Sequence, residues 1–326
     1  MPAIPPVQSW YHEATGSFTH LVRDPGGAAA AVIDPVLDFD PSSGRLGTTF
    51  IEPVAEYVER ERLDLVWILE THAHADHLSA GGWLKNRTGA RLGAGQGIRE
   101  VQARFVEFYN LGNDFVADGR QFDRLFADGE VFSLGALPIR VLATPGQTND
   151  SVTYLAGDAA FIGDTLFAPD YGTARCDFPG GSAADLHASI QRLFELDGET
   201  RLFLCHDYPP GGRDPEASFT VNEQRAGNVQ LKDATDLEQF VALRWIHVVD
   251  LRDEGVVDVD PLASRLGVGA DHRMVRVGEP RFECRDVVVG RALLAHADLE
   301  ADEVVPSGSA LDLLLHLIGK PVIRLV

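Results

Sequence analysis

Short apolar runs, each closed by a cluster of turn residues, recur through the first two thirds of the chain. Thr19–Arg23 and Ala28–Ile33 flank Asp24-Pro-Gly-Gly27 and read as a hairpin. Leu63–Leu69, apolar but for one aspartate, has the length of a buried strand. Val131–Leu134, Ile139–Ala143, Val152–Leu155, Ala159–Ile162 and Arg201–Cys205 are further strands. Between them the period lengthens. An amphipathic helix is expected near Glu52–Arg62 and another near Ser79–Arg87. A third, about Gly97–Tyr109, has apolar residues at 98, 101, 105 and 108, the spacing of one buried face. Ser182, with Asp185 three residues on, caps a helix running to about Leu196. The polar stretch Phe39–Gly44 and the Pro/Gly-rich stretch Pro209–Pro215 read as loops.

Past about Arg244 the texture changes. Trp245–Leu251, Arg273–Val277 and Val287–Val289 look like strands and Ser309–Ile318 like a helix, but metal-capable residues no longer cluster. The chain therefore divides into residues 1–244 and a small α/β extension, 245–326.

Four of the strands run directly into polar or coordinating residues. Leu63–Leu69 leads to Thr71-His72-Ala73-His74-Ala75-Asp76-His77, and Ile139–Ala143 leads to Thr144-Pro-Gly-Gln147-Thr148. Ala159–Gly163 ends at Asp164, and Arg201–Cys205 at His206. In extended backbone, residues two apart point to the same side, so His72 and His74 are placed to converge on one cation. Asp76 and His77, a step further on, are placed to reach a second. Imidazole and carboxylate suit zinc, iron or manganese. One sheet edge presenting a shared site explains the repetition.

Composition narrows the function classes. A formal charge of −21 repels nucleic acid and anionic membrane, both of which need a basic face. The longest apolar run near the C-terminus, Leu311–Ile318, is broken by Asp312 and His316 and cannot span a membrane. Three cysteines, Cys176, Cys205 and Cys284, are too few for a disulfide framework. The opening Met-Pro-Ala-Ile-Pro-Pro lacks the basic start and apolar core of a secretory leader. A cytoplasmic protein is expected.

The residues now resemble a family. His72-x-His74-x-Asp76-His77, Thr144-Pro-Gly-Gln-Thr148, Gly163-Asp164 and Cys205-His206-Asp207-Tyr208 resemble, in order and spacing, the metal motifs of the metallo-β-lactamase superfamily over about residues 10–230. Pro169-Asp-Tyr-Gly-Thr-Ala-Arg-Cys-Asp-Phe-Pro-Gly-Gly181 and Gly163-Asp-Thr-Leu-Phe167 look most like its persulfide dioxygenase branch and the bacterial β-lactamase hydrolase-like relatives. The resemblance implies an α/β fold, an αββα sandwich with the metal at one edge of two sheets. It implies that His72, His74 and position 147 bind a first metal, that Asp76, His77 and His206 bind a second, and that Asp164 bridges. In the oxygenase branch a single Fe(II) would be held by His72, position 147 and Asp164, with positions left open for the substrate sulfur and O2. The substrate implied is glutathione persulfide. A homodimer is the oligomeric form the resemblance suggests.

Position 147 departs from that pattern, being Gln where the family has His. An amide oxygen is a weak neutral donor. Three arrangements stay open: Gln147 coordinates through its oxygen; His74 swings inward beside His72 and Asp164; or the metal is held only by Asp76, His77, Asp164 and His206. Each affects function. A Zn(II) with a bound water, oriented by Asp76 as catalytic group, would hydrolyse a thioester, ester or lactone as glyoxalase II does. A silent binder of a sulfur metabolite or partner protein is a third reading. The family further implies that Arg175 and Asp177 order the pocket, with a bracing ion pair as the structural alternative. Tyr208 is placed to donate its hydroxyl to substrate, with an aromatic core residue carrying a polar tip as the alternative. Asp34 resembles a position that supports the metal loop. Cys205, by strand alternation, is read as core pointing away from the ligands, Cys176 as a small buried apolar residue, and His187 as surface.

Overall fold

A computed structural model of the chain describes residues 3–74, 76–112, 115–231 and 236–242. Two six-stranded sheets organise them. The first contains β1 (Val7–His12), β2 (Ser17–Arg23), β3 (Ala29–Ile33), β6 (Asp64–Leu69), β8 (Arg91–Gly95) and β9 (Arg124–Phe126), in that order. β1, β2 and β3 pair antiparallel, while β3, β6, β8 and β9 run parallel. The second runs in chain order through β10 (Val131–Leu134), β11 (Leu137–Ala143), β12 (Val152–Ala156), β13 (Ala159–Phe161), β14 (Arg201–Phe203) and β15 (Ser218–Thr220). All its pairs are antiparallel except β13 with β14. A short third sheet joins β4 (Val36–Asp40) to β5 (Arg45–Gly47) and β7 (Leu78–Ser79).

Side-chain alternation along the strands builds the layers. On β3, Ala30 and Val32 face one way and Ala31 and Ile33 the other; on β6, Leu65 and Ile68 oppose Trp67 and Leu69. The first set packs under α1 (Glu52–Arg60), α2 (Gly81–Thr88) and α3 (Ile98–Phe108), which contribute Val54, Val58, Leu84, Ile98 and Val101. The second set meets Phe132, Ile139, Val141 and Tyr154 of the other sheet in a core between sheets. Beyond it, Ala160, Leu202 and Leu204 pack against Leu186, Ile190 and Leu193 of α4 (Ala183–Phe194) and Val221 of α5 (Val221–Gly227). The layers are helix, sheet, sheet, helix: the αββα order. Burying side chains of this size stabilises by about 2 kcal/mol each.

The helices begin where local chemistry allows. Ser182 Oγ accepts the Asp185 amide, capping α4 as expected. Thr220 and Glu223 form a reciprocal capping box at α5. The segment 39–44, expected as a loop, instead carries the β4–β5 hairpin. Asp40 closes it by accepting the Ser42 amide and the Ser43 hydroxyl, so its polarity reflects exposed hairpin positions rather than irregular chain. β14 ends at Phe203, two residues earlier than the apolar run suggested. The expected extension, 245–326, lies outside the described residues.

Candidate metal centre

The histidine-rich loop leaves β6 and is held from both sides. Asp34, just past β3 and in the left-handed region (φ 50°), accepts the Thr71 amide at 2.7 Å and the Thr71 hydroxyl at 2.8 Å. Such a conformation costs a non-glycine residue about 1–2 kcal/mol, which these two buried bonds offset. From the opposite sheet, Asp150 accepts the Ala73 amide at 2.8 Å, and Val152 N donates to Thr71 O at 2.8 Å. Burial pushes the Asp150 carboxyl up. The expected supporting role of Asp34 therefore has a geometry, and Asp150 is a second support that the sequence reading missed.

Asp164 stands at the centre. It follows Gly163 at the tip of β13, where φ of 55° and the approach of Thr71 and His72 leave no room for a Cβ. Its Oδ2 lies 3.6 Å from His72 Nε2 and accepts Gln147 Nε2 at 2.9 Å. Its Oδ1 lies 3.5 Å from His206 Nε2. His206 Nε2 is also 3.2 Å from Asp76 Oδ2, and Asp76 Oδ1 is 3.3 Å from His77 Nδ1. One ligand atom each from Asp76, His77 and His206 fits within 4.8 Å. Two half-sites thus flank one carboxylate, His72 and Gln147 on one side and Asp76, His77 and His206 on the other.

The hydrogen bonding leaves the inward atoms free. His72 Nδ1 is engaged by Thr71 Oγ1 at 2.9 Å, and Ser17 Oγ stands 3.3 Å from Nδ1 of both His77 and His206. Among the described residues nine buried side-chain atoms make no hydrogen bond, and five of them meet here: His72 Nε2, His77 Nε2, His206 Nε2, Asp164 Oδ1 and Gln147 Oε1. Buried polar atoms are normally satisfied, so a cluster of unsatisfied imidazole and carboxylate atoms needs an explanation. A divalent cation supplies one, and the donor set fits zinc or iron.

The charges agree. Burial pushes the Asp76 and Asp164 carboxyls up, but His206 together with His77 or His72 pulls harder, and both end below the usual carboxylate range. Burial and the neighbouring His74 hold His77 down at about 4, in the neutral form that binds metal. Burial opposes the charging of His206, yet Asp164 and Asp76 raise it well above the usual imidazole range.

His74 lies between His72 and His77, with ring centroids 4.3 and 4.2 Å away. Its Nε2 is 3.1 Å from Glu70 Oε2 and 3.3 Å from Asp34 Oδ1, and its Nδ1 faces Cys205 Sγ at 3.9 Å. Glu70, anchored by the Ser79 hydroxyl, is another partner missed in the sequence, although it directly precedes the motif. Cys205 corrects an expectation. Because β14 has already ended, strand alternation no longer applies, and Sγ falls within ligand distance of Asp164 and His206. Tyr208 stacks on His206 at 5.4 Å and 9° and leans on Tyr171 at 5.2 Å. Arg175 and Asp177 form a forked ion pair, with the Arg175 side chain 52% exposed. His187 is half-buried against Phe240. Among the described residues no helix is long and apolar enough to cross a membrane.

The sequence profile of the metallo-beta-lactamase superfamily matches residues 13–206. The chain belongs to the metallo-beta-lactamase superfamily. It is 49% identical over 242 residues to the beta-lactamase hydrolase-like protein of Agrobacterium fabrum, covering 74% of this chain and 56% of that one. The chain therefore spans little more than half the length of that relative. It is 28% identical to the human mitochondrial persulfide dioxygenase ETHE1 over 240 residues, 73% of this chain and 79% of that protein. The crystal structure of ETHE1 from Myxococcus xanthus superposes with a TM-score of 0.59 at 27% identity, covering 80% of this chain and 98% of that one. Relatives named as hydroxyacylglutathione hydrolases match as well, so the superfamily around this chain includes oxygenases and hydrolases.

Proposed function

We propose that this chain is a metal-dependent enzyme that oxidises the terminal sulfur of glutathione persulfide, or a related persulfide, to sulfite with O2 at a mononuclear iron. Its balance is simple: persulfide, O2 and water give thiol and sulfite, the sulfur losing four electrons to O2. One observation carries the reading. Unpartnered imidazole nitrogens and a shared carboxylate, all buried, form a histidine-and-carboxylate set of the kind that leaves coordination positions open on iron(II). When bound there, the iron would supply the site at which the sulfur and O2 meet.

The chain's own residues bind, orient and exclude water. Tyr208, half-buried with its ring on His206, presents a hydroxyl beside the centre, and Tyr171 extends the same aromatic wall. A small apolar cleft lined by Ala73, Val101, Phe105, Thr148, Phe178 and Pro179 opens beside His74. Sulfur oxygenation needs no dedicated side-chain base, which accords with a site made mainly of ligands and their supports.

A second reading has its own observation. Asp76 keeps 33% of its side chain exposed while touching both His77 and His206, a position from which a carboxylate would orient an attacking water. With zinc this would hydrolyse a thioester, ester or lactone. Elemental analysis of anaerobically purified protein, paired with substrate assays, separates the two. Iron with O2 uptake driven by glutathione persulfide supports the oxygenase. Zinc with thioester or lactone turnover and no O2 uptake overturns it in favour of the hydrolase, and no stoichiometric metal removes both.

A further inference from the structure

We infer that Gln147 serves as a hydrogen-bond donor to Asp164 and not as a ligand, so that the chain holds a single cation among Asp76, His77, Asp164 and His206. This rests on reading the site as a metal centre, and it holds whichever reaction the metal supports.

Gln147 has one donor end and one acceptor end, whereas ionised Asp164 only accepts. Nε2 therefore faces Asp164 Oδ2, at 2.9 Å, in a site where Gln147 is 7% and Asp164 5% exposed. A buried N–H on a carboxylate is a charge-assisted bond, stronger than a neutral one. To offer Oε1 to a cation on the His72 side, the amide would have to turn, giving up that bond and bringing its carbonyl against the carboxylate. An imidazole at 147 faces no such choice.

What remains on the His72 side is thin. His72 supplies one nitrogen, its unpartnered Nε2; Gln147 Oε1 also makes no hydrogen bond, and Asp164 Oδ2 is already shared with Gln147. His74, the other nearby imidazole, has Nε2 engaged by Glu70 and Asp34 and Nδ1 turned to Cys205. The opposite side lacks nothing. His77 meets both Ser17 and Asp76 Oδ1 through Nδ1 and keeps Nε2 without a hydrogen bond, while His206 meets Ser17 through Nδ1 and turns Nε2 to Asp76 Oδ2 and Asp164 Oδ1, 3.2 and 3.5 Å away but in no hydrogen bond. Two imidazoles, the Asp76 carboxylate and one oxygen of Asp164 outweigh one imidazole and the other oxygen of Asp164. The Gln at 147 thus moves the preferred metal position across Asp164.

Titrating the full-length, metal-stripped chain with cobalt(II), read by visible absorption and by elemental analysis after gel filtration, tests this independently of turnover. The wild type and Gln147→Ala are expected to retain about one equivalent, and His72→Ala likewise. His77→Ala and His206→Ala are expected to retain almost none, and Gln147→His to rise toward about two. Circular dichroism of each metal-free variant controls for folding, and Gln147→Ala and Gln147→His remain decisive if a histidine variant unfolds. Two equivalents in the wild type, loss of the equivalent in His72→Ala or Gln147→Ala, or no rise in Gln147→His would overturn the inference. If the cobalt pattern holds while iron-loaded protein shows no persulfide-driven O2 uptake, the inference stands and the proposed reaction fails.

Discussion

Ser17 Oγ, 3.3 Å from both His77 Nδ1 and His206 Nδ1, is 2.7 Å from Thr15 Oγ1, which in turn lies 2.7 Å from His12 Nδ1. His12 Nε2 continues the chain to Asp38 at 3.2 Å. Outer partners of this kind fix the orientation of ligand imidazoles and typically change metal affinity by about 10- to 100-fold when removed. Ser17→Ala keeps the volume of a fully buried position, so its metal-free stability should fall by only about 1 kcal/mol while cobalt affinity drops by that factor. Isothermal titration with a parallel urea melt checks the pair of effects; unchanged affinity would show that Ser17 does not orient the ligands. The residue scale also shows what the sequence was able to reveal. His72, Asp76 and His77 are close along the chain and carry their own signature. Ser17, Glu70 and Asp150 are supports whose types are common and whose partners are set by the fold: Ser17 is 60 and 189 residues from the histidines it meets. The place of His74 was legible only as an open choice, because its contact with Asp34 is set by the fold even though Glu70 lies only one helical-turn spacing before it in the chain.

At the scale of elements, β2 carries a buried histidine whose role is stability. His20 Nε2 donates to Leu204 O at 2.7 Å and Nδ1 accepts from Ser9 Oγ at 2.8 Å, among the rings of Phe18, Phe161 and Phe203. Burial lowers its pKa from 6.5 to about 4, against the pull of the Leu204 carbonyl and Asp34. The folded state therefore binds a proton less readily than the unfolded chain. Its contribution is fully present above about pH 6.5 and is lost as pH falls toward about 4, to the extent of roughly 3 kcal/mol. Urea midpoints measured from pH 4 to 7 should fall more steeply for the wild type than for His20→Gln, and parallel slopes would refute this. The tip of β13 offers a steric test. Gly163→Ala would set a Cβ 2.7 Å from Thr71 Oγ1 and 3.1 Å from His72 Nδ1, in a backbone region that costs alanine about 1–2 kcal/mol. A loss of at least that stability, with weaker metal binding, is expected in a paired melt and titration; a neutral result would mean the tip relaxes. Strands rich in Val, Ile and Leu were readable, whereas β8 was not. Its sequence, Arg-Leu-Gly-Ala-Gly, has poor strand propensity, yet Gly93 is required because a Cβ there would lie 2.6 Å from the Phe126 ring.

For the whole molecule, the decisive fact is that the candidate ligands come from both sheets. His72, Asp76 and His77 follow β6 of the first sheet, while Asp164 and His206 follow β13 and β14 of the second. Apolar alternation told which faces of each strand are buried, but it could not say that the two sheets meet with those tips adjacent; the order of the motifs, through family resemblance, supplied that. A cation there would close the edge of the sandwich while offsetting carboxylates in a chain whose formal charge is already −21. Since the unfolded chain scatters these ligands, binding is linked to folding and stabilises by RT ln(1 + [M]/Kd), about 4 kcal/mol at a free metal concentration of 1,000 Kd. At roughly 2–4 °C per kcal/mol for a domain of this size, chelation should lower the melting temperature by roughly 10 °C. The shift should grow with the logarithm of added metal, be restored by zinc or iron(II) but not by magnesium, and shrink to near zero in His206→Ala. Calorimetry with and without chelator measures all three. A melting temperature indifferent to chelator and metal would mean that the two sheets meet without a clasp, and that the unpartnered imidazoles at their edge hold something other than a metal.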